Sequence, residues 1–162
     1  MEQVFFIAQL NVARARAPLE DPSMAGFASR LEEVYAEAER AEGFVWRLRA
    51  EDVPVSVRGV GDPRLFVTLS VWESIEALHR YVYRSAHRAP LRARAEWFEE
   101  SRGPNLVLWW VERDNRPRVE QGLARLKYLS LNGPTARAFT FKTWFPPPTA
   151  DDATPRTFEE ET

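Results

Sequence analysis

Arg64-Leu65-Phe66-Val67-Thr68-Leu69-Ser70-Val71-Trp72-Glu73-Ser74-Ile75-Glu76-Ala77-Leu78 holds a strand, a corner and the start of a helix in one unbroken stretch. Arg64 to Trp72 is dense in branched and aromatic residues and reads as a strand. Ser74 is placed to cap a helix, with Ile75, Leu78 and Val82 on its buried face. The helix carries His87, one of only two histidines, close to Pro90. Proline lacks an N–H and collides with the preceding turn, so a kink or restart is expected there. A second helical arm then runs from about Leu91 to Ser101, and Gly103-Pro104 ends it.

Working outward, Val4 to Leu10 reads as a buried strand around the apolar run Phe5-Phe6-Ile7. Asp21-Pro22 starts a helix, with Asp21 as N-cap. Met24, Phe27, Leu31, Val34, Tyr35 and Ala38 follow at spacings of three and four, and Gly43 is the stop. In Phe44 to Arg49, Phe44, Trp46 and Leu48 are expected on one face of a strand, and Val45, Arg47 and Arg49 on the other. Glu51 to Pro63 reads as a loop, with room for a short strand at Val55 to Arg58. Downstream, Leu106 to Val111 is a fourth strand that places Trp109 and Trp110 on opposite faces. Arg116-Pro117 opens a third helix with Val119, Leu123, Leu126 and Leu129 inward. Gly133-Pro134 stops it, and Ala138 to Phe141 suggests a short last strand.

This order, strand-helix-strand-strand-helix-strand with an added helix and strand, predicts an α+β sandwich with helices on one face of an antiparallel sheet. The other face is then open, and a second copy of the chain is its simplest cover. One domain is expected over residues 1–145. Residues 146–162, opening with Pro146-Pro147-Pro148 and polar thereafter except for Phe158, are expected to be a disordered tail.

Composition narrows the chemistry. The 162 residues include no cysteine, which excludes disulfides, thiolate metal sites and cysteine nucleophiles. The formal net charge of −2 gives no global attraction for nucleic acid. The longest apolar runs, such as Leu106 to Val111, are far too short to cross a bilayer, and Met1-Glu2-Gln3-Val4 has no secretory character, so the expected location is the cytoplasm. No HExxH, glycine-rich phosphate loop or serine nucleophile elbow is present.

Ser70-Val71-Trp72-Glu73-Ser74-Ile75-Glu76-Ala77-Leu78, then Tyr81-Val82-Tyr83-Arg84-Ser85-Ala86-His87, resemble the DUF3291 family. So do Ala8-Gln9-Leu10-Asn11, Gly43-Phe44-Val45-Trp46-Arg47, Glu96-Trp97-Phe98, Val107-Leu108-Trp109-Trp110-Val111 and Gly133-Pro134-Thr135. The resemblance spans roughly residues 3 to 142 and implies the dimeric α+β barrel superfamily, in which two ferredoxin-like subunits pair their sheets. Relatives there include antibiotic-biosynthesis monooxygenases, haem-degrading oxygenases and chlorite dismutases, often with a pocket between the sheet and the second helix. A monooxygenase-like enzyme acting on a hydrophobic small molecule is what the resemblance implies. Analogy of fold does not by itself carry an activity.

His87 is the candidate catalytic residue, since imidazole serves as an acid–base group near neutral pH. The bland alternative is a histidine bonding a free carbonyl where the helix breaks. Haem ligation by His87 is a further alternative, and otherwise no cofactor is expected. His79 carries less weight, and its spacing from His87 does not let both reach one ion. Trp46, Trp72, Tyr83 and Trp110 are expected to line a cavity for a flat apolar ligand, with Trp97 and Arg84 helping to shape it. The competing reading is that these rings simply fill the core and a dimer interface. Arg47, on the polar face of its strand, is suited to clamp a carboxylate or to pair with an acidic residue. A non-catalytic small-molecule-binding or structural homodimer is the main alternative to an enzyme.

Overall fold

The computed structural model describes residues 4–49, 64–88, 96–100 and 103–158, with side chains in the second helix described through residue 84. The elements are β1 (Phe5–Arg14), α1 (Ala25–Arg40), β2 (Phe44–Arg47), β3 (Leu65–Trp72), α2 (Ile75–Arg88), β4 (Leu106–Glu112) and α3 (Val119–Asn132). A 3-10 turn over Pro22–Met24 leads into α1, and Asp21 caps it by accepting from the Ser23 N–H at 2.9 Å. The proposed strand at Val55 to Arg58, the break at Pro90 and most of the arm after it lie outside the described residues. Where that arm reappears, it is not helical to its expected end. Phe98 bridges Ala15, and the Glu99 N–H donates to the Arg14 carbonyl, which extends the sheet beside the end of β1.

The strands lie in the order β2-β3-β1-β4, and every neighbouring pair is antiparallel. Each helical connection therefore joins two parallel strands with a third strand between them. These are the two split β-α-β units of a ferredoxin-like sheet. The α+β class and the antiparallel sheet expected from the element order are observed.

Register assigns the faces. Ile7 pairs with Trp72 and Trp110, and Gln9 pairs with Ser70 and Leu108. These residues share one face with Asn11, Thr68 and Phe66. α1 and α2 cover it, with Ile75, Leu78 and Ala38 buried against Ile7, Trp72 and Leu108. The other face carries Phe6, Ala8, Leu10, Leu69, Val71, Val107 and Trp109. An open face was the expectation, but this face is covered. α3 lies on it, burying Val119 and Leu129, and Leu10, Val71 and Val107 have no exposed surface at all. Gly122 makes the approach possible, because a Cβ there would stand 2.7 Å from Leu10 Cδ1 and 3.1 Å from Trp109 Cη2. An inward stripe on a helix shows that it packs on something; which face it reaches depends on the path of the chain before it.

The strand at Phe44 also departs from the alternation read from sequence. Phe44 pairs with Trp72, whereas Trp46 pairs with Val71, and the register shifts between them. A bulge at Val45 inserts one residue and turns Trp46 to the opposite face from Phe44. Arg47, opposite Ser70, returns to the face under α1.

The expected last strand is a single bridge, Phe139 to Leu108, with both N–H···O bonds made, at 2.8 and 3.0 Å. It covers the outer edge of β4. The tail expected to be disordered from residue 146 is placed through Phe158. Trp144 and Arg156 exchange backbone bonds of 2.8 and 2.7 Å, and Phe158 stacks on His79 at 4.0 Å with the rings 3° from parallel. Phe158, the aromatic exception in this polar segment, is its contact with α2. No helix among the described residues is long and apolar enough to cross a membrane.

Candidate functional site

α1 tracks β3 rank by rank, since four helical residues rise about 6 Å and two strand residues about 6.7 Å. Phe27 meets Phe66 edge-on at 5.2 Å, and Tyr35 lies beneath Arg47, the cross-strand neighbour of Ser70. Ala38 joins the core around Trp72. Leu31 therefore falls over the rank of Thr68 and Asn11. Below this helix an apolar floor would be the ordinary choice. Instead the floor is polar: Gln9 and Asn11 from β1, Thr68 and Ser70 from β3. Asn11, Thr68 and Ser70 are half-buried, as are Phe27, Leu31 and Tyr35 above them, so these side chains keep accessible surface between helix and sheet, and we read that stretch as a candidate groove. Phe27, Phe66, Trp97 and Phe98 close one end, and Trp72 with Tyr81, stacked at 5.0 Å, stands at the other.

The hydrogen bonds on the floor leave donors unspent. The Gln9 Nε2–H donates to Ser70 Oγ at 2.8 Å, and the Trp72 Nε1–H donates to the same oxygen at 3.0 Å. With both lone pairs of Ser70 occupied, its own O–H remains to be given. Reversing the Gln9 amide only moves the surplus, for its NH₂ would then be free instead. Asn11 and Thr68 side chains have no hydrogen-bond partner among the described residues.

Arg47 forms the wall on the β2 side. Its side chain is only 16% exposed; Nε donates to Glu39 Oε1 at 3.0 Å, and the guanidinium lies 4.0 Å over the Tyr35 ring. Glu39 sits one turn after Tyr35 on α1, which is how one helix supplies both contacts. Nη1 reaches the Leu48 carbonyl at 3.4 Å, and Nη2 has no acceptor among the described residues. Arg49 also approaches Glu39 Oε1, at 3.9 Å, so two guanidiniums share one carboxylate. Burial raises the Tyr35 phenol above its ordinary value, opposed by the positive charge of Arg47. Tyr35 is thus a neutral hydroxyl throughout the physiological range.

The other residues singled out from sequence are scattered. Trp46 lies on the α3 side, so it cannot line one cavity with Trp72 and Trp110. Trp72 is fully buried, and Trp110 is anchored by its Nε1–H donating to the Phe145 carbonyl at 2.7 Å. Tyr83 is exposed and faces His79. Arg84 lines a separate cleft of about 310 Å³ beside α2, with Glu37, Arg40, Glu42, Arg80 and Tyr81. That cleft is charged, whereas an apolar pocket was expected next to this helix. Trp97 packs on Phe27 at the end of the groove, with Arg30 5.4 Å over its ring. His87 is in the last turn of α2, and its side chain lies outside the described residues, as do the acid–base and haem readings that depend on it. Among the described residues no group of three histidine or carboxylate side chains is placed to hold a metal ion.

Gln9, Asn11, Thr68 and Ser70 are the residues that sequence reasoning missed. Their signal was visible as polar side chains at i and i+2 in two strands that otherwise read as apolar.

Among solved structures the chain is similar to PA3566 from Pseudomonas aeruginosa, with 13% identity, a TM-score of 0.46, and coverage of 71% of this chain and 100% of that one. No curated protein matches the sequence. Residues 6–155 match the family described as a domain of unknown function, DUF3291, and with nearly its whole length so matched, the chain belongs to that family.

Proposed function

We propose that the groove beneath α1 binds a flat, largely apolar small molecule bearing oxygen atoms, and that the protein acts on it as a monooxygenase-like enzyme. One observation carries the reading: the Asn11 and Thr68 side chains and the Ser70 O–H, without partners among the described residues, lie in the middle of a helix-covered sheet face, between two aromatic ends. Apolar walls with a few convergent polar groups are the ordinary make-up of a small-molecule site. The pocket of this proposal lies under the first helix, where the floor is polar, and not beside the second helix as the sequence suggests.

In such a reaction the electron-rich substrate itself supplies the electrons. A CH₂ carbon becomes C=O, with one atom of O₂ on carbon and the other leaving as water. His87 is the acid–base group in this reading, carried by the resemblance to monooxygenases and by its position in the last turn of α2. Native mass spectrometry of protein purified from its own host tests the binding, with a stoichiometric small molecule expected. Oxygen uptake with that molecule then separates an enzyme from a passive binder. No bound molecule, and none acquired from an aromatic library, refutes the groove.

A homodimer belongs to the same proposal. α3 leaves Val12, Val45, Trp46, Leu48 and Val67 half-buried beside it on the sheet, an apolar strip that a second copy would cover.

A further inference from the structure

The Ser70 rank of the groove floor leaves a donor unspent. Trp72 Nε1 and the Gln9 amide both donate to Ser70 Oγ, so the Ser70 O–H is left to give, and with the amide reversed the Gln9 NH₂ is left instead. Next to this surplus stands Arg47, whose Cα is the cross-strand partner of Ser70. On one face of an antiparallel pair, such neighbours have Cβ atoms about 5 Å apart. Arg47 Nη2 has no acceptor among the described residues, so its two N–H groups remain to be given. The local charge is positive as well, because Glu39 offsets only one of Arg47 and Arg49. Arg47 is the more buried of that pair of arginines, 16% exposed against 58% for Arg49, so its attraction is the less screened.

Unspent donors and an uncompensated positive charge at one point call for an acceptor that carries negative charge. We infer that the ligand of the groove is an organic monoanion, a carboxylate or a phenolate-type oxygen on a flat apolar body, with its oxyanion between Arg47 and Ser70. Gln9 completes the donor set from β1. Tyr35 fixes the guanidinium by stacking and adds a neutral hydroxyl to the same wall. Glu39 holds Nε and leaves the outer edge of the guanidinium for the ligand, so the pair orients Arg47 without exhausting it.

This inference rests on the groove reading, and one experiment separates their failures. The full chain is titrated with 2-naphthoate and with 2-naphthamide, which share a shape and differ in charge, while the Trp72 indole N–H resonance is followed by NMR. Naphthoate is expected to bind at least about tenfold more tightly than naphthamide, the size of a charge-assisted pair. Arg47→Gln is expected to bring the two affinities together, and Ser70→Ala to weaken naphthoate several-fold while the fold is kept. Equal affinities in the unmodified protein, with the Trp72 resonance shifting for both, would overturn the anion inference and leave the groove standing. A Trp72 resonance that neither compound moves would remove both. The comparison on the unmodified chain holds even where Arg47→Gln does not fold.

Discussion

Gly43 sits at φ +87°, and a Cβ on it would lie 2.5 Å from the Ala77 Cβ of α2. The turn into β2 therefore depends on the absence of a side chain twice over, for conformation and for contact. Its carbonyl accepts the Glu73 N–H at 2.7 Å, which ties the corner after β3 to the same point. Gly43→Ala is expected to cost about 2–4 kcal/mol, combining a left-handed backbone with overpacking, measured by urea denaturation. Tyr35 gives a second test at this scale. Its phenol is raised by burial, so the folded state holds the proton longer than the unfolded chain. That contribution to stability is complete below the ordinary tyrosine range and is lost as pH climbs through the folded value. Tyr35→Phe should flatten the alkaline fall in stability, read from denaturation midpoints across that range.

At the scale of elements, the attachment of α3 decides what the second face of the sheet is for. Gly122→Ala should push the helix away from Leu10 and Trp109 and destabilise the protein by about 1–3 kcal/mol, visible as a lower denaturation midpoint with quenching or exposure of Trp109. The C-terminal segment makes a gentler test. Phe158→Ala removes the ring on His79, and faster amide exchange at Trp144 and Arg156 is expected, with β1 unchanged. These elements also show where a single sequence is readable. The corner at Trp72 and Ser74 and the inward stripe of α3 follow from periodicity and capping, which are local. Ala77 N–H does donate to Ser74 Oγ, at 3.1 Å. The bulge at Val45 does not follow, because one inserted residue leaves no mark on composition yet reverses Trp46. Nor does the face that α3 chooses, which is a property of the connection. The groove was half legible. Arg47 stands out by its strand position, but Gln9 and Ser70 do not, because only pairing brings them into one rank.

The whole molecule is a sheet with a cover on each side, and the proposed dimer must use what α3 leaves. If a second copy seats on the strip at Trp46, light scattering on the purified chain gives twice the monomer mass of 18.7 kDa. Trp46→Glu should then return it to the monomer while leaving the Arg47 wall in place, since the bulge puts the two residues on opposite faces. A monomeric native chain would count against the dimer and leave the groove untouched.

The two aromatic ends of the groove set a length. Phe66 and Trp72 stand six residues apart on β3, or about 20 Å between their Cα atoms. Their rings take up part of that distance, and the space left along the strand suits roughly two or three fused rings. Because Ser70 and Arg47 lie nearer the Trp72 end, the ruler is read from there: a compound anchored by its charged oxygen points its far edge at Phe66. Size selection would then rest with one residue, and replacing Phe66 with a smaller side chain would move the far stop without touching the anchor.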